Sequence, residues 1–281
     1  MLRAKKQRST HLQLSSSWHY DCYIKRRAVD QTGKVREIYV KKLFVTLSLA
    51  IAFFCRVETQ GTPTYSTTFP ATENPISEGG RWINGQANGI DWKDVRTTPG
   101  LAMGTQSGVN GYDDSTALLT GTWSPTQTVQ GTVYSVNQLS GSSNNAEIEF
   151  RLRSTITPHT LNGYEINFRL RHDGSQYVEI VRWNGPLGNF TYISRIDGGP
   201  GIYNGDTIKA TIVGNVITAY INGVQVLQGT DSTFTGGNPG IGFYRRGTVP
   251  QNTDFGFTSF QAWDGASTAP SPPTGLRIFI S

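Results

Sequence analysis

A period of two in the hydrophobic pattern constrains this chain more than any other feature. Apolar and polar residues alternate through Ala146–Ser154, Tyr164–Arg171, Tyr177–Trp183, Phe190–Ile196, Thr207–Val213, Val216–Asn222, Gly240–Arg245 and Phe255–Trp263. Successive side chains of a strand point to opposite faces, so each run predicts a strand with one buried face. The breaks carry turn residues: Asp173-Gly174, Asn184-Gly185, Gly214-Asn215 and Asn222-Gly223. Such pairs accept the positive φ angles of tight hairpins, which join antiparallel strands and leave no room for helical crossovers. No stretch carries a 3.6-residue period, and 32 glycines among 281 residues suit a turn-rich chain. About 195 residues, from Phe69 to Trp263, fall in this single array. That is too many for a seven-stranded sandwich, and it predicts an all-β, two-sheet antiparallel jelly-roll sandwich over residues 66–265.

The alternation also assigns faces. Ile148, Phe150 and Leu152 share one side of their run, while Glu147, Glu149, Arg151 and Arg153 share the other. In the next run Ile166, Phe168 and Leu170 oppose Glu165, Asn167, Arg169 and Arg171. Paired antiparallel, the two runs place Glu and Arg side by side on one exposed face. Tyr177, Glu179 and Trp183 alternate together on the following strand and add aromatic rings to that face.

The first sixty residues have a different character. Lys41 and Lys42 precede the apolar run Leu43–Cys55, which only Thr46 and Ser48 interrupt. That order is the order of a secretory signal peptide. A membrane-spanning helix needs about 20 apolar residues, and Arg56 and Glu58 end this run too early. Residues 40–60 are therefore read as a signal peptide, with the protein secreted (extracellular or periplasmic) and without a stable membrane span. Residues 1–39 are read as upstream sequence translated in error, with Val40 at the true start, or as a basic tail. Residues 266–281 read as a Pro/Ser linker and short tail. Cys22 and Cys55 both precede residue 61, so the predicted domain has no disulfide, thiol nucleophile or cysteine metal site. Charge divides at the same place. Residues 1–60 hold 12 Lys+Arg and 4 Asp+Glu, against 13 and 16 in residues 61–281. The overall +5 thus hides a domain of net −3, which excludes a nucleic-acid partner argued from basicity.

Three segments carry a family resemblance: Gly205-Asp206-Thr207-Ile208-Lys209-Ala210, Gly214-Asn215-Val216-Ile217 and Tyr220-Ile221-Asn222-Gly223-Val224. Together with Pro239-Gly240-Ile241-Gly242-Phe243-Tyr244 and the closing run Phe255–Trp263, they resemble the laminin-G-like and concanavalin-A-like lectin/glucanase superfamily. The resemblance spans most of residues 70–265. It implies a concave sheet face as ligand groove, a polysaccharide or other glycan as partner, and a structural Ca²⁺ between the first and last strands. Function still rests on the site, because lectins, binding modules, glucanases and lyases share the fold. The groove candidates are Glu147, Glu149, Arg151, Glu165, Asn167, Arg169, Arg171, Tyr177, Glu179 and Trp183. A flat ring under a sugar and planar hydrogen-bonders for its hydroxyls or carboxylates are what a glycan needs. Arg outnumbers Lys 11 to 2 in residues 61–281, which suits uronic acids. The leading expectation is a secreted lectin-like domain for a polysaccharide, acidic if those arginines face it. An adhesive, protein-binding module is a further alternative.

Enzymatic readings use the same face. A retaining glycosidase needs carboxylates about 5–5.5 Å apart, and Glu147 and Glu149 project from one side about 6.5–7 Å apart at Cα. Laminarinase-type glucanases continue with a third acid where this chain has Arg151 and Leu152. A polysaccharide lyase would use Arg169 or Arg171 to neutralise a uronate, with Tyr164, Tyr177, His159 or His172 moving protons. The Ca²⁺ candidates are Glu78 and Asp264, with Asp113-Asp114 as a second option.

Overall fold

A computed structural model describes residues 64–109, 111–137 and 144–265, together with the backbone of two N-terminal strands. Those strands, β1 (Tyr23–Val29) and β2 (Val35–Lys41), pair antiparallel as a separate unit. Val40 and Lys41 thus belong to β2. Residues 42–60 of the expected signal peptide, and the tail 266–281, lie outside the described residues.

The second unit is the jelly-roll sandwich. Its strands are β3 (Tyr65–Thr67), β4 (Trp82–Asn84), β5 (Arg96–Thr98), β6 (Leu101–Met103), β7 (Ser115–Leu119), β8 (Gln127–Ser135), β9 (Asn145–Thr157), β10 (Thr160–Arg169) and β11 (Tyr177–Gly185). They continue as β12 (Phe190–Asp197), β13 (Thr207–Val213), β14 (Val216–Ile221), β15 (Val224–Thr230), β16 (Asn238–Arg246) and β17 (Phe255–Asp264). One sheet runs β12-β11-β10-β9-β16-β7-β4, the other β15-β14-β13-β8-β17-β6-β5, with β3 on β17. All pairings between these strands are antiparallel. Asn222 and Gly223, with φ of 49° and 79°, close the β14–β15 hairpin as the Asn-Gly pair predicts. Among the described residues no helix is long and apolar enough to cross a membrane.

The core is the assigned apolar face. Ile148, Phe150 and Leu152 of β9 and Ile166 and Phe168 of β10 are buried against the second sheet. Phe150 stacks on Phe257 of β17 at 5.1 Å and meets Phe168 edge-on. Full burial of one such ring removes about 2–3 kcal/mol of unfavourable hydration, so these strands hold the opposite face of the sheet rigidly. That face carries the site.

Candidate functional site

Register places the polar residues of the seven-stranded sheet in cross-strand rows. Gly242, Glu149, Asn167, Glu179 and Arg195 form one row across β16, β9, β10, β11 and β12. Gly240, Arg151, Glu165, Val181 and Tyr192 form the next, and Tyr244 stands opposite Glu147. This face is not the exposed ladder that alternation alone predicts. Glu147, Glu165, Asn167 and Glu179 are only 2–7 % exposed, and Glu149 and Arg151 are fully buried. Residues of the loop before β7 and aromatic rings of β12 stand round it, leaving a cavity of about 180 Å³.

Arg151 organises the deepest layer. Its Nη2 donates to Glu149 at 2.6 Å and to Thr116 at 3.2 Å, and Nη1 donates to Glu165. Asp114 is 3.7 Å away. The carboxylates of Asp114, Glu149 and Glu165 converge to within 4.8 Å of one another, with the guanidinium among them. Burial works against the charge of Arg151, but Glu165, Glu149 and Asp114 outweigh it and push its pKa up. Burial and then Glu165 raise both Asp114 and Glu149 well above the usual carboxylate range. Gly242 makes the layer possible: a Cβ there would collide with Glu149 Oε2 and stand 2.9 Å from Arg151 Nη2. The second glycine of the Gly240-Ile241-Gly242 motif is thus a packing requirement.

Above that layer the cavity floor is joined by hydrogen bonds. Asn167 Nδ2 donates to Glu165 at 2.8 Å and to Glu179 at 3.2 Å. Trp183 Nε1 donates to Glu165 at 2.6 Å, and Arg195 donates to Glu179. Glu147 accepts from Tyr177 Oη and from Asn145 Nδ2, the latter at 2.8 Å. Burial pushes Glu147 up to about 8, with the Tyr177 hydrogen bond working the other way. Burial also raises Glu179, which Arg195 partly offsets. Tyr177 is raised by burial and by Glu147 beside it, and Tyr244 is pushed by burial up to about 12.

Rings form the wall. Phe190 lies 5.3 Å from Trp183, 5.4 Å from Tyr192 and 5.2 Å from Tyr112. Trp183 is itself held edge-on by Trp92 at 5.1 Å.

The structure brings Glu147, Glu165, Asn167, Tyr177, Glu179 and Trp183 round one cavity. It puts Glu149 and Arg151 beneath that lining, so Glu147 and Glu149 do not face the cavity as a pair. Arg169 lies over the Tyr177 ring and bonds Asn145 and the Ser175 carbonyl. Arg171 is bound to Asp173 and the Asn144 carbonyl. Arg153 leaves the row altogether. The β9–β16 register shifts beside it, its φ is 46°, and its guanidinium donates to the Pro125, Phe234 and Gly214 carbonyls. A bulge that turns the backbone defeats strict alternation. His172 stacks on Tyr203 at 3.9 Å, and exposed His159 contacts Asp91; neither lines the cavity. Tyr164 Oη donates to Asp231.

Phe190, Tyr192, Tyr112, Asn145 and Tyr244 also line the cavity and escape the sequence reading of the site. The Phe190 run was legible as a strand, but its face was not. An extra residue in β12, Ile193, sets Tyr192 opposite Val181 and Arg195 opposite Glu179 on the same side.

The two Ca²⁺ candidates make hydrogen bonds within the protein. Glu78 accepts from the Tyr65 hydroxyl, the Thr67 hydroxyl at 2.5 Å and the Trp82 indole at 3.1 Å. Asp264 accepts from the Ser124 amide at 2.6 Å. Among Asp114, Glu149 and Glu165 the guanidinium of Arg151 already supplies the positive charge.

No protein-family model matches the chain, and no curated protein matches it. Among solved structures it is similar to the carbohydrate binding module CBM66 from Bacillus subtilis, at 17 % identity and a TM-score of 0.45, over 67 % of this chain and 96 % of that one. A point mutant of the Emp46p carbohydrate recognition domain matches at 14 % identity and a TM-score of 0.49, over 73 % and 98 %. A structure described as a native glycosidic hydrolase matches at 13 % and 0.44, over 73 % and 97 %.

Proposed function

We propose that this domain binds carbohydrate, seating one sugar unit in the cavity on the outer face of the seven-stranded sheet. One observation carries the reading: a buried floor of hydrogen-bond acceptors from Glu147, Glu165, Asn167 and Glu179 meets a wall of rings around Phe190. A pyranose offers hydroxyls on its edge and C–H groups on its face, and that pairing of polar floor and ring wall complements it. Drug-sized sites measure roughly 300–1,000 Å³, so a cavity of about 180 Å³ suits one ring or a chain end. The geometry supports hydroxyls over uronate carboxylates, because Arg151, Arg153 and Arg171 are engaged within the protein. Export through the 40–60 leader belongs to this proposal.

A second reading, glycoside hydrolysis, has one observation in its favour. Glu147, pushed up to about 8, would hold a proton near neutrality among other carboxylates, as a general acid must. Lyase chemistry has less support. Tyr177 Oη donates to Glu147 and is hard to ionise, and His172 lies outside the cavity lining.

The test titrates the full chain against a panel of neutral, acidic and amino oligosaccharides, following tryptophan fluorescence. Reducing ends and absorbance at 235 nm are read in the same samples. Saturable one-to-one binding without new chain ends, equal with Ca²⁺ or chelator, is the expected result. New reducing ends would replace the module with the hydrolase, new absorbance with a lyase, and no binding across the panel would end the carbohydrate reading.

A further inference from the structure

We propose that the sugar unit selected by this cavity carries a protonated amine, making the ligand class a free amino sugar. This rests on the carbohydrate reading above and narrows it.

Among the described residues, carboxyl groups outnumber cations at the site. Asp114, Glu147, Glu149, Glu165 and Glu179 form one cluster, four of them in the cavity lining and Glu149 just beneath. Two guanidiniums pair with it: Arg151, shared among three carboxylates, and Arg195, which also holds Asp197. Arg246 in the lining brings the cations to three against five. Burial inclines Asp114, Glu147 and Glu149 to hold protons, and a cationic group entering the cavity draws such groups into the ionised form and offsets their mutual repulsion.

Hydrogen-bond chemistry points the same way. Asn167 is 2 % exposed and lines the cavity, and both donations from its amide nitrogen go to Glu165 and Glu179. Among the described residues its Oδ1 has no hydrogen-bond partner. An unsatisfied buried acceptor costs about 1–3 kcal/mol, so a ligand that donates to it gains that back. Three donors of the floor are turned to floor acceptors: the Trp183 indole to Glu165, the Tyr177 hydroxyl to Glu147, the Asn145 amide to Glu147 and Tyr177. Glu147 adds a further acceptor for a guest once it gives up its own proton. An ammonium group supplies three donors and no acceptor, and the rings around Phe190 attract a cation through their faces. An acetamide loses the charge and brings a carbonyl that needs a donor. A hydroxyl offers a single proton. A bare metal ion would compete with Arg151 for Asp114, Glu149 and Glu165.

The experiment compares three trisaccharides on one β-1,4-linked glucose skeleton, with a 2-amino, 2-acetamido or 2-hydroxy group. Each is titrated into the full chain at pH 6 and low salt, with spermidine as a polycation lacking pyranose rings. The amino trisaccharide should bind at least ten-fold tighter than the other two and than spermidine. Its advantage should shrink as salt rises. In Glu179→Gln the preference for the amine should fall several-fold. Equal or tighter binding of the hydroxy or acetamido sugar would overturn the amine proposal while leaving sugar binding intact. Spermidine binding as tightly as the amino sugar would overturn it as mere charge attraction. If all three sugars fail to bind, this proposal falls, and the oligosaccharide panel decides separately whether sugar binding falls with it.

Discussion

Arg151 shows how much one buried side chain can organise. With no exposed surface, it serves Glu149, Glu165 and Asp114 together, and all three lie in or under the proposed binding surface. Removing one partner of a buried charge cluster leaves the others uncompensated, typically at about 3–5 kcal/mol. Arg151→Met should therefore destabilise the domain by that amount in urea unfolding at pH 7, and an unchanged midpoint would contradict the arrangement. Tyr192 offers the opposite test. It is 56 % exposed and meets Phe190 edge-on at 5.4 Å, so it can be cut back without opening the core. Tyr192→Ala should weaken sugar binding about ten-fold, the equivalent of about 1.4 kcal/mol of ring contact, while the unfolding midpoint stays put. A loss of stability with unchanged affinity would assign the ring to the scaffold.

At the scale of elements, hairpins and bulges divide the work. Tight turns such as Asn222-Gly223 keep strands in register, and bulges redirect side chains at the places that matter. Arg153 at φ 46° ties the Pro125, Phe234 and Gly214 backbones together with three bonds of 2.6–2.9 Å. Those carbonyls lie in three separate connections, so the guanidinium fork pins loops that strand pairing does not. Arg153→Lys keeps the charge but cannot make the fork, and should cost about 2–3 kcal/mol, close to the cost of Arg153→Ala. Full rescue by lysine in thermal unfolding would mean that charge matters and geometry does not. The same bulges limit what sequence alone reveals. Alternation identifies β9 through β12 and their core residues because period two is a local property of an extended chain. It places Arg153 on the wrong side and gives Tyr192 no face, since an inserted residue in β12 resets the phase. Asp114 and Tyr112 reach the site from a loop, where no periodicity exists to read. The charged face was legible as a face. Its burial was not, because burial depends on elements distant in sequence.

For the whole molecule, the site is a place where folding and protonation compete. Glu147 moves from an ordinary value of 4.5 up to about 8 on folding. The native state therefore holds a proton that the unfolded chain releases, and stability falls as pH rises from about 4.5 to about 8. Asp114, Glu149 and Glu179 shift in the same direction. Glu147→Gln should flatten that decline and make the domain more stable than wild type at pH 9, by a few kcal/mol at about 1.4 per pKa unit. A variant with the wild-type pH profile would place the proton elsewhere.

The hydrogen bond from Tyr177 to Glu147 has a calorimetric consequence. A cationic guest favours the ionised carboxylate, so docking near neutral pH should expel a proton into the solvent. The heat measured on binding would then vary with the ionisation enthalpy of the buffer, with a slope of up to about one proton per guest. For a neutral sugar the heat should be the same in every buffer. The solvent would thus report, without any label on protein or ligand, which kind of sugar had entered.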